Sequence, residues 1–356
     1  MFRRSLLTGF FLLAASGLSY GQKPTFTVGW SVYAGWTPYH YLNQSGILRK
    51  WADKYGITIK VQRFDYAPSL DAFVAKNIDA CTMTNMEALD MPAASGVPTT
   101  AILIGDYSNG NDAVLVRQGT QLKDLPGKKV LLVQKTVSEY LFDRAMTING
   151  LRGEIKKVRL VNTSDADLTT AFLSDKGSAA AVTWKPLVSN ILREKGYVSL
   201  FDSSKIPGEI LDLTVVRTDI LARPDGSGQK FAKALTGAWY ELMALMATPG
   251  PAADKVLAAI AAGSQDSLAA YKEQLSTTKM FYTAKSAVDF GKSADLKAKM
   301  ELVRQFTFEH GLLGSRTASA DDVAIAYPDG SIQGKKDRVR LKFDTTFMQM
   351  AMEGKL

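Results

Sequence analysis

The sequence predicts an α/β protein of two lobes facing each other across a cleft, and three observations carry that prediction. Short runs rich in β-branched and apolar residues recur at regular intervals. Segments of helical spacing separate them, as in repeated βα units on a mainly parallel sheet. At 356 residues the chain is too long for one small core and suits two.

In order, the strand signals of the first half are Thr25 to Ser31, Ile57 to Phe64, Asp79 to Thr84, Thr100 to Gly105 and Ala113 to Arg117, with helical spacing over Tyr41 to Tyr55 and Ser69 to Lys76. A second set follows: Lys129 to Gln134, Val158 to Val161, Ala179 to Trp184 and Val198 to Phe201 alternate with Ser138 to Asn149, Ala166 to Leu173 and Leu187 to Lys195. Asp212 to Arg217 returns as a strand, and the remainder is chiefly helical, over Gln229 to Met246, Ala252 to Ala262, Asp266 to Leu275 and Asp295 to His310. A helical tail has to bury its apolar face, and the economical solution is that it completes the first lobe. Residues 22–114 and 218–356 are therefore expected to form a discontinuous lobe one, and 115–217 a continuous lobe two.

The first 21 residues carry Arg3 and Arg4, an apolar run from Leu6 to Leu18, and then Ser19-Tyr20-Gly21. That pattern is a secretory signal peptide cleaved after Gly21, with export by either the general secretory or the twin-arginine route. The apolar run is too short to span a bilayer. The lone cysteine, Cys81, lies far from the cleavage site, so neither an intramolecular disulfide nor a lipid-bearing N-terminal cysteine is expected. Its apolar neighbours make it a small buried strand residue. The formal charge is +8, but the basic residues are spread along the chain instead of interleaving with aromatics on one surface, which argues against nucleic acid. The dense run Lys335 to Lys342 alternates charged with apolar residues near its end and reads as a solvated edge strand or exposed loop.

Ligands in open α/β sheets bind where loops leave the carboxyl ends of strands. The loops that should form lobe one's wall, Tyr33 to Tyr41, Asp65 to Ser69, Thr84 to Leu89 and Asp106 to Asp112, contain no lysine or arginine. They do contain Asp65, Glu87, Asp106 and Asp112 together with Tyr33, Trp36, Tyr39 and Tyr107. An anion would need cationic side chains or bare helix N-termini; the side-chain chemistry here has the opposite sign. Carboxylates with aromatic faces suit a small planar cation, since guanidinium presents a fork of N–H donors and a flat stacking face. Urea shares the fork without the charge, and burying an uncompensated carboxylate against it is costly.

Each acidic residue also has a helix-cap reading, and Glu87 in Thr84-Asn85-Met86-Glu87 fits the fourth place of a capping box. From lobe two, Thr183-Trp184-Lys185-Pro186 ends a strand and sets Trp184 as a stacking wall. Glu209 or Asp212 would supply a closing carboxylate, or else a hinge hydrogen bond. The expected ligand wall is thus Tyr33, Trp36, Asp65, Asn85, Asp106, Asp112, Thr183, Trp184, Glu209 and Asp212. Lys135 and Lys185 are expected to point outward, because either would repel a cation. His310 sits where a helix should end, and His40 has no second histidine at metal spacing, so neither a metal nor a cofactor is expected.

The element order resembles the periplasmic binding proteins of nitrate/sulfonate/taurine-class ABC transporters over essentially the whole mature chain. Val28-Gly29-Trp30-Ser31 through Trp36-Thr37-Pro38-Tyr39, Arg63-Phe64-Asp65-Tyr66, Thr82 to Ala88 and Gly105 to Asp112 look like a narrower subgroup, the binding proteins associated with urea-carboxylase gene clusters. The resemblance implies a type II periplasmic-binding-protein fold and a urea or guanidine cargo. It further implies a periplasmic monomer that delivers to an ABC permease and ATPase in the inner membrane. No G-x-x-x-x-G-K-[ST] sequence occurs, so the chain is not expected to hydrolyse ATP. Two alternatives differ in ligand or activity. One keeps the fold around urea, another amide or a pyrimidine-like ring between Trp36 and Trp184. The other is an enzyme related to thiamine-pyrimidine synthases, whose cysteine-rich iron site a single cysteine cannot supply. A sensor module would need a membrane or signalling segment.

Overall fold

The computed structural model describes residues 22–315 and 317–356; the expected signal peptide, residues 1–21, lies outside them. Strands follow in chain order as β1 (Thr25–Trp30), β2 (Thr58–Arg63), β3 (Ala80–Thr84), β4 (Thr99–Ser108), β5 (Ala113–Arg117), β6 (Lys129–Leu132), β7 (Arg159–Asn162), β8 (Ser178–Thr183), β9 (Tyr197–Asp202), β10 (Leu211–Arg217), β11 (Thr278–Met280), β12 (Ala324–Ala326), β13 (Ile332–Gln333) and β14 (Val339–Phe343). β1 to β10 fall where the apolar runs predict. They sort into a nine-stranded sheet, ordered β13-β12-β14-β4-β10-β3-β1-β2 with β11 beside β4, and a five-stranded sheet, ordered β7-β6-β8-β5-β9.

In the first sheet β1 runs parallel to β2 and β3, as βα crossovers require, while β10 inserts antiparallel between β3 and β4. In the second, β6 is parallel to β7 and β8, and β5 is antiparallel to β8 and β9. The chain leaves the first sheet after β4 and returns in β10. The expected boundaries at 114/115 and 217/218 therefore fall a few residues late: β5 already belongs to the second sheet, and β10 to the first.

The helical tail does return to the first lobe. The helix Ser227–Ala247 lies on β1, with Phe231 stacked on Phe26 at 4.6 Å between ring centroids. Gly237 lets the Trp51 ring lie directly on that helix, where an added Cβ would meet it at 2.4 Å. The helical segment expected over Tyr41 to Tyr55 is two helices, Pro38–Gln44 and Ile47–Lys54, parted at Gly46, whose φ of 79° only glycine adopts without strain. Cys81 is buried in β3, and His310 caps the helix Ala294–Glu309, as expected.

The run ending in β14 corrects the edge-strand expectation. β14 is interior, parallel to both β12 and β4, with Leu341 and Phe343 buried and Lys342 exposed on the other face. Charged residues at alternate positions thus mark the solvated face of a paired strand, and β13 takes the edge. Leu341→Ala should lower unfolding free energy by about 2–5 kcal/mol in denaturant titration, whereas Lys342→Ala should stay within about 0.5 kcal/mol. Equal, small effects would mean that the strand is not buried as described.

Candidate functional site in the cleft

Where the carboxyl ends of the two sheets meet, Tyr33, Trp36, Tyr66, Thr84, Asp112, Val137, Trp184, Ile210 and Asp212 enclose a small cavity. Its volume is about 10 Å³, on the order of what one water needs, so a larger occupant requires the lobes to part. The rings form a continuous series from lobe one to lobe two, with centroids 5.0 Å apart for Tyr33 and Trp36, 5.3 Å for Trp36 and Tyr66, and 5.5 Å for Tyr66 and Trp184. The Trp184 indole N–H donates to the Val32 carbonyl at 3.3 Å and so spans the interface.

The carboxyl groups come from strand pairing. Asp212 at the start of β10 sits directly opposite Thr84 of β3 on one side and Asp106 of β4 on the other. Two like charges opposed in a ladder repel, and here both are buried. Tyr33 donates its hydroxyl to Asp106 Oδ1 at 3.1 Å, but Asp106 Oδ2 and Asp212 Oδ2 have no donor among the described residues. Asp106 Oδ2 rests on Gly35, where an added Cβ would lie 2.0 Å away. Asp112, in the first crossing, accepts the Ser108 hydroxyl at 2.5 Å; Ser108 in turn meets Ser203 of the return crossing at 2.6 Å. One carboxylate therefore touches both the cavity and the strands that link the lobes.

Burial raises the pKa of all three aspartates, Asp112 to about 7. For Asp212 the charge of Asp106 adds to burial. Facing one another without a base, Asp106 and Asp212 repel when both are ionised, and a single proton taken up by the pair relieves that repulsion. The Trp36 indole N–H and the Thr183 hydroxyl are also buried without partners.

Of the ten expected wall residues, Tyr33, Trp36, Asp112, Trp184 and Asp212 line the cavity, with Asp106 behind Tyr33 and opposite Asp212. Thr183 ends β8 beside Trp184. Three are not brought there. Asp65 is exposed at the N-cap of the helix Tyr66–Val74 without capping it, in an outer recess that it shares with Asp165 and Trp184. Asn85 clamps the return crossing, its amide donating to the Glu209 carbonyl at 3.0 Å and its oxygen accepting the Leu211 N–H at 3.0 Å. Glu209 pairs bidentately with Arg144, at 2.7 and 3.0 Å, and accepts the Tyr140 hydroxyl at 2.6 Å. For Asn85 and Glu209, side chains next to a crossing hold backbone and lobe contacts before any ligand.

Sequence reasoning missed Tyr66, Thr84, Val137 and Ile210 as wall residues; Thr84 and Ile210 each stand beside an expected one, Asn85 and Glu209. Tyr66 follows Asp65 in the quoted Arg63-Phe64-Asp65-Tyr66 segment, so the signal was present one residue away. Val137 follows β6 at a helix start and carries no chemical signal. Lys135 is exposed as expected, whereas Lys185 is buried, its ammonium paired with Glu273 and 3.0 Å from the Thr277 hydroxyl. It bridges the lobes and does not line the cavity. Among the described residues no group of three or more His, Cys, Asp or Glu is disposed to hold a metal.

Larger recesses lie elsewhere. One of about 810 Å³ holds two sets of paired charges, His310 between Glu139 and Asp143 and Arg152 with Glu309, beside Lys156 and Arg159. One of about 470 Å³ opens beside Arg338 and Arg340. Among the described residues neither is lined by a buried side-chain polar atom left without a partner, which sets the cleft apart.

The raised aspartates fix the sign of a stability effect. Their folded pKa values exceed the ordinary carboxylate range, so between about pH 4 and 7 the folded state holds more protons than the unfolded chain, and stability falls as pH rises. The melting temperature should drop by several degrees from pH 5 to pH 8, and Asp212→Asn should flatten that slope. A wild-type melting temperature that rises over this range would show that the carboxylates are not held protonated.

Comparison with known proteins came to the same architecture. Residues 71–245 match the family described as NMT1/THI5 like. No curated protein sequence matches the chain. The periplasmic aliphatic sulphonate binding protein SsuA from Escherichia coli superposes with a TM-score of 0.65 at 17% identity, over 83% of this chain and 96% of that one. The periplasmic nitrate-binding protein NrtA from Synechocystis PCC 6803 gives 0.58 at 12%, over 94% and 99%. A conserved Candida albicans gene product with the generic periplasmic binding protein fold gives 0.58 at 14%, over 79% and 90%. With two sheets, two crossings and a cleft at the strand ends, the chain has the periplasmic-binding-protein fold.

Proposed function

We propose that the chain is the periplasmic solute-binding component of an ABC importer and captures guanidinium in the cleft. The fold and its sulfonate- and nitrate-binding neighbours support the transport role, with no catalysis by the chain and with delivery to a membrane permease and ATPase. The observation that carries the cargo is the set Asp106, Asp112 and Asp212, buried without any lysine or arginine lining the cavity and enclosed by Tyr33, Trp36, Tyr66 and Trp184. A planar cation satisfies the orphaned carboxylate oxygens with paired N–H bonds and lies flat against the rings. Capture then works by closure: one lobe binds, the other swings in, and exclusion of water strengthens each polar contact. Asp112 links the two, because it touches both the cavity and the crossings.

One observation favours urea as a second reading. A proton shared by Asp106 and Asp212 lowers the negative charge of the cavity and leaves a carboxylic acid that donates to a neutral carbonyl. The two readings differ in pH dependence. Guanidinium has to displace the proton, so its affinity should fall as pH drops from about 8 to 6; urea needs the proton and should not weaken. In calorimetric titration at pH 8 guanidinium should bind and urea should not, and Asp106→Asn or Asp212→Asn should weaken guanidinium by about 2–5 kcal/mol. Tighter binding of urea, strengthening toward acid, would replace the cation with the amide. Asn variants that bind as wild type would remove these aspartates from the site.

A further inference from the structure

Two helices direct their N-termini at the opposite lobe, and each receives a carboxylate from across the cleft. In the helix Val137–Ile148 of lobe two, the Val137 N–H donates to Glu87 Oε1 of lobe one at 2.6 Å. The remaining first-turn donors are engaged as well: the Ser138 N–H by the Thr136 hydroxyl at 3.3 Å, and the Glu139 and Tyr140 N–H groups by the Thr136 carbonyl at 2.9 and 3.3 Å. In exchange, the Tyr66 N–H of the helix Tyr66–Val74 donates to Asp165 Oδ2 of lobe two at 3.3 Å. Asp165 is half-buried and faces the outer recess, whereas Glu87 is fully buried and its other oxygen accepts the Thr84 hydroxyl. Thr84 and Val137, its two partners, both line the cavity.

Lobe one brings carboxylates to the cavity. Lobe two brings no charged side chain to it but does bring a helix N-terminus, whose partial positive charge, together with the Val137 N–H that only Glu87 occupies, favours an anion. We propose that Glu87 sets the ligand's sign on the lobe-two side: it fills the N-terminus of the helix Val137–Ile148 as an internal anion, cancels the positive end of that helix and excludes anionic solutes. This rests on the reading of the cleft as the ligand site. It assigns a specificity role to a residue that touches the cavity only through its partners, and it ties that role to closure, because the Glu87 to Val137 bond joins the two lobes.

The test is calorimetric titration of methanesulfonate and nitrate at pH 8, with guanidinium titrated at the same pH as a separate arm. Burial raises the Glu87 carboxyl as it does the aspartates, although the Thr84 hydroxyl and the Val137 N–H oppose that shift, and acid would discharge it. The aspartates are common to wild type and variant, so the difference between the two reads Glu87. Wild type should take up neither anion. Glu87→Ala should gain at least about tenfold in anion affinity, since a like charge is replaced by an open N–H; Asp165→Asn, outside the cavity, should gain nothing. Glu87→Gln keeps the side-chain shape, removes the charge and leaves one oxygen to accept the Val137 N–H while its NH2 donates to the Thr84 hydroxyl, so it carries the same expectation at smaller size should the alanine variant fail to melt cooperatively. A cooperatively folded Glu87 variant with unchanged anion affinity overturns the assignment, even where wild type binds guanidinium and the cargo reading stands. Wild type that binds methanesulfonate as tightly as the alanine variant overturns both. Failure of wild type to bind guanidinium, alongside anion gain in the variant, removes the cargo reading and supports the role of Glu87.

Discussion

A carboxylate moved out of water without a counter-charge loses several kcal/mol of solvation, and a protein has few ways to restore it: a base, hydrogen-bond donors, a proton, or a ligand. Glu209 uses the first, in Arg144, and Glu87 the second, in the Val137 N–H and the Thr84 hydroxyl. Asp106 and Asp212 each keep a buried oxygen with neither among the described residues. Asp212 is held between Thr84 and Asp106 by its place in the ladder, so its position cannot relax away from its neighbour's charge without unzipping β10. The strand that closes the circuit between the lobes is thus the strand that forces two carboxyls together. Of the four remedies, donors are too few here, which leaves a proton or a cation.

The surrounding architecture makes that constraint useful. The two crossings run side by side, joined through Ser108, Asp112 and Ser203, so a change of charge at Asp112 acts on the segments about which the lobes would swing. The closed arrangement is held by groups from opposite lobes: Trp184 on the Val32 carbonyl, Lys185 on Glu273, Glu87 on Val137 and Asp165 on Tyr66. Each of these pairs exists only when the lobes meet. Closure therefore trades hydration of polar groups at the rim for direct bonds, and the cavity's net charge decides how far that trade is favoured.

Much of this was legible in the sequence, for reasons that differ by element. β3, β4, β5, β8 and β10 announce themselves because strands buried on both faces are continuous apolar runs, and a run such as Thr100 to Gly105 has no competing helical period, whereas the half-exposed edge strands β2, β7 and β9 show only as short β-branched or aromatic segments. β11, β12 and β13 are two or three residues long and carry no period at all. β14 was legible as alternation but not as interior, since its partners β12 and β4 lie far away in sequence. At the site, Asp106 and Asp212 could be named from their strand ends, while their direct opposition depends on register between strands more than a hundred residues apart. Asp65 shows the limit of local reasoning. It follows a strand as a wall residue should, yet the helix it precedes is capped from the other lobe.

The central claim is that the cleft holds protonated carboxyl groups which a cation replaces, and proton counting tests it most directly. Guanidinium titrated near pH 6.5 in two buffers of unequal ionisation enthalpy should give different apparent binding heats, the difference corresponding to about one proton released per cation bound. Identical heats in the two buffers, with binding demonstrated, would contradict the account.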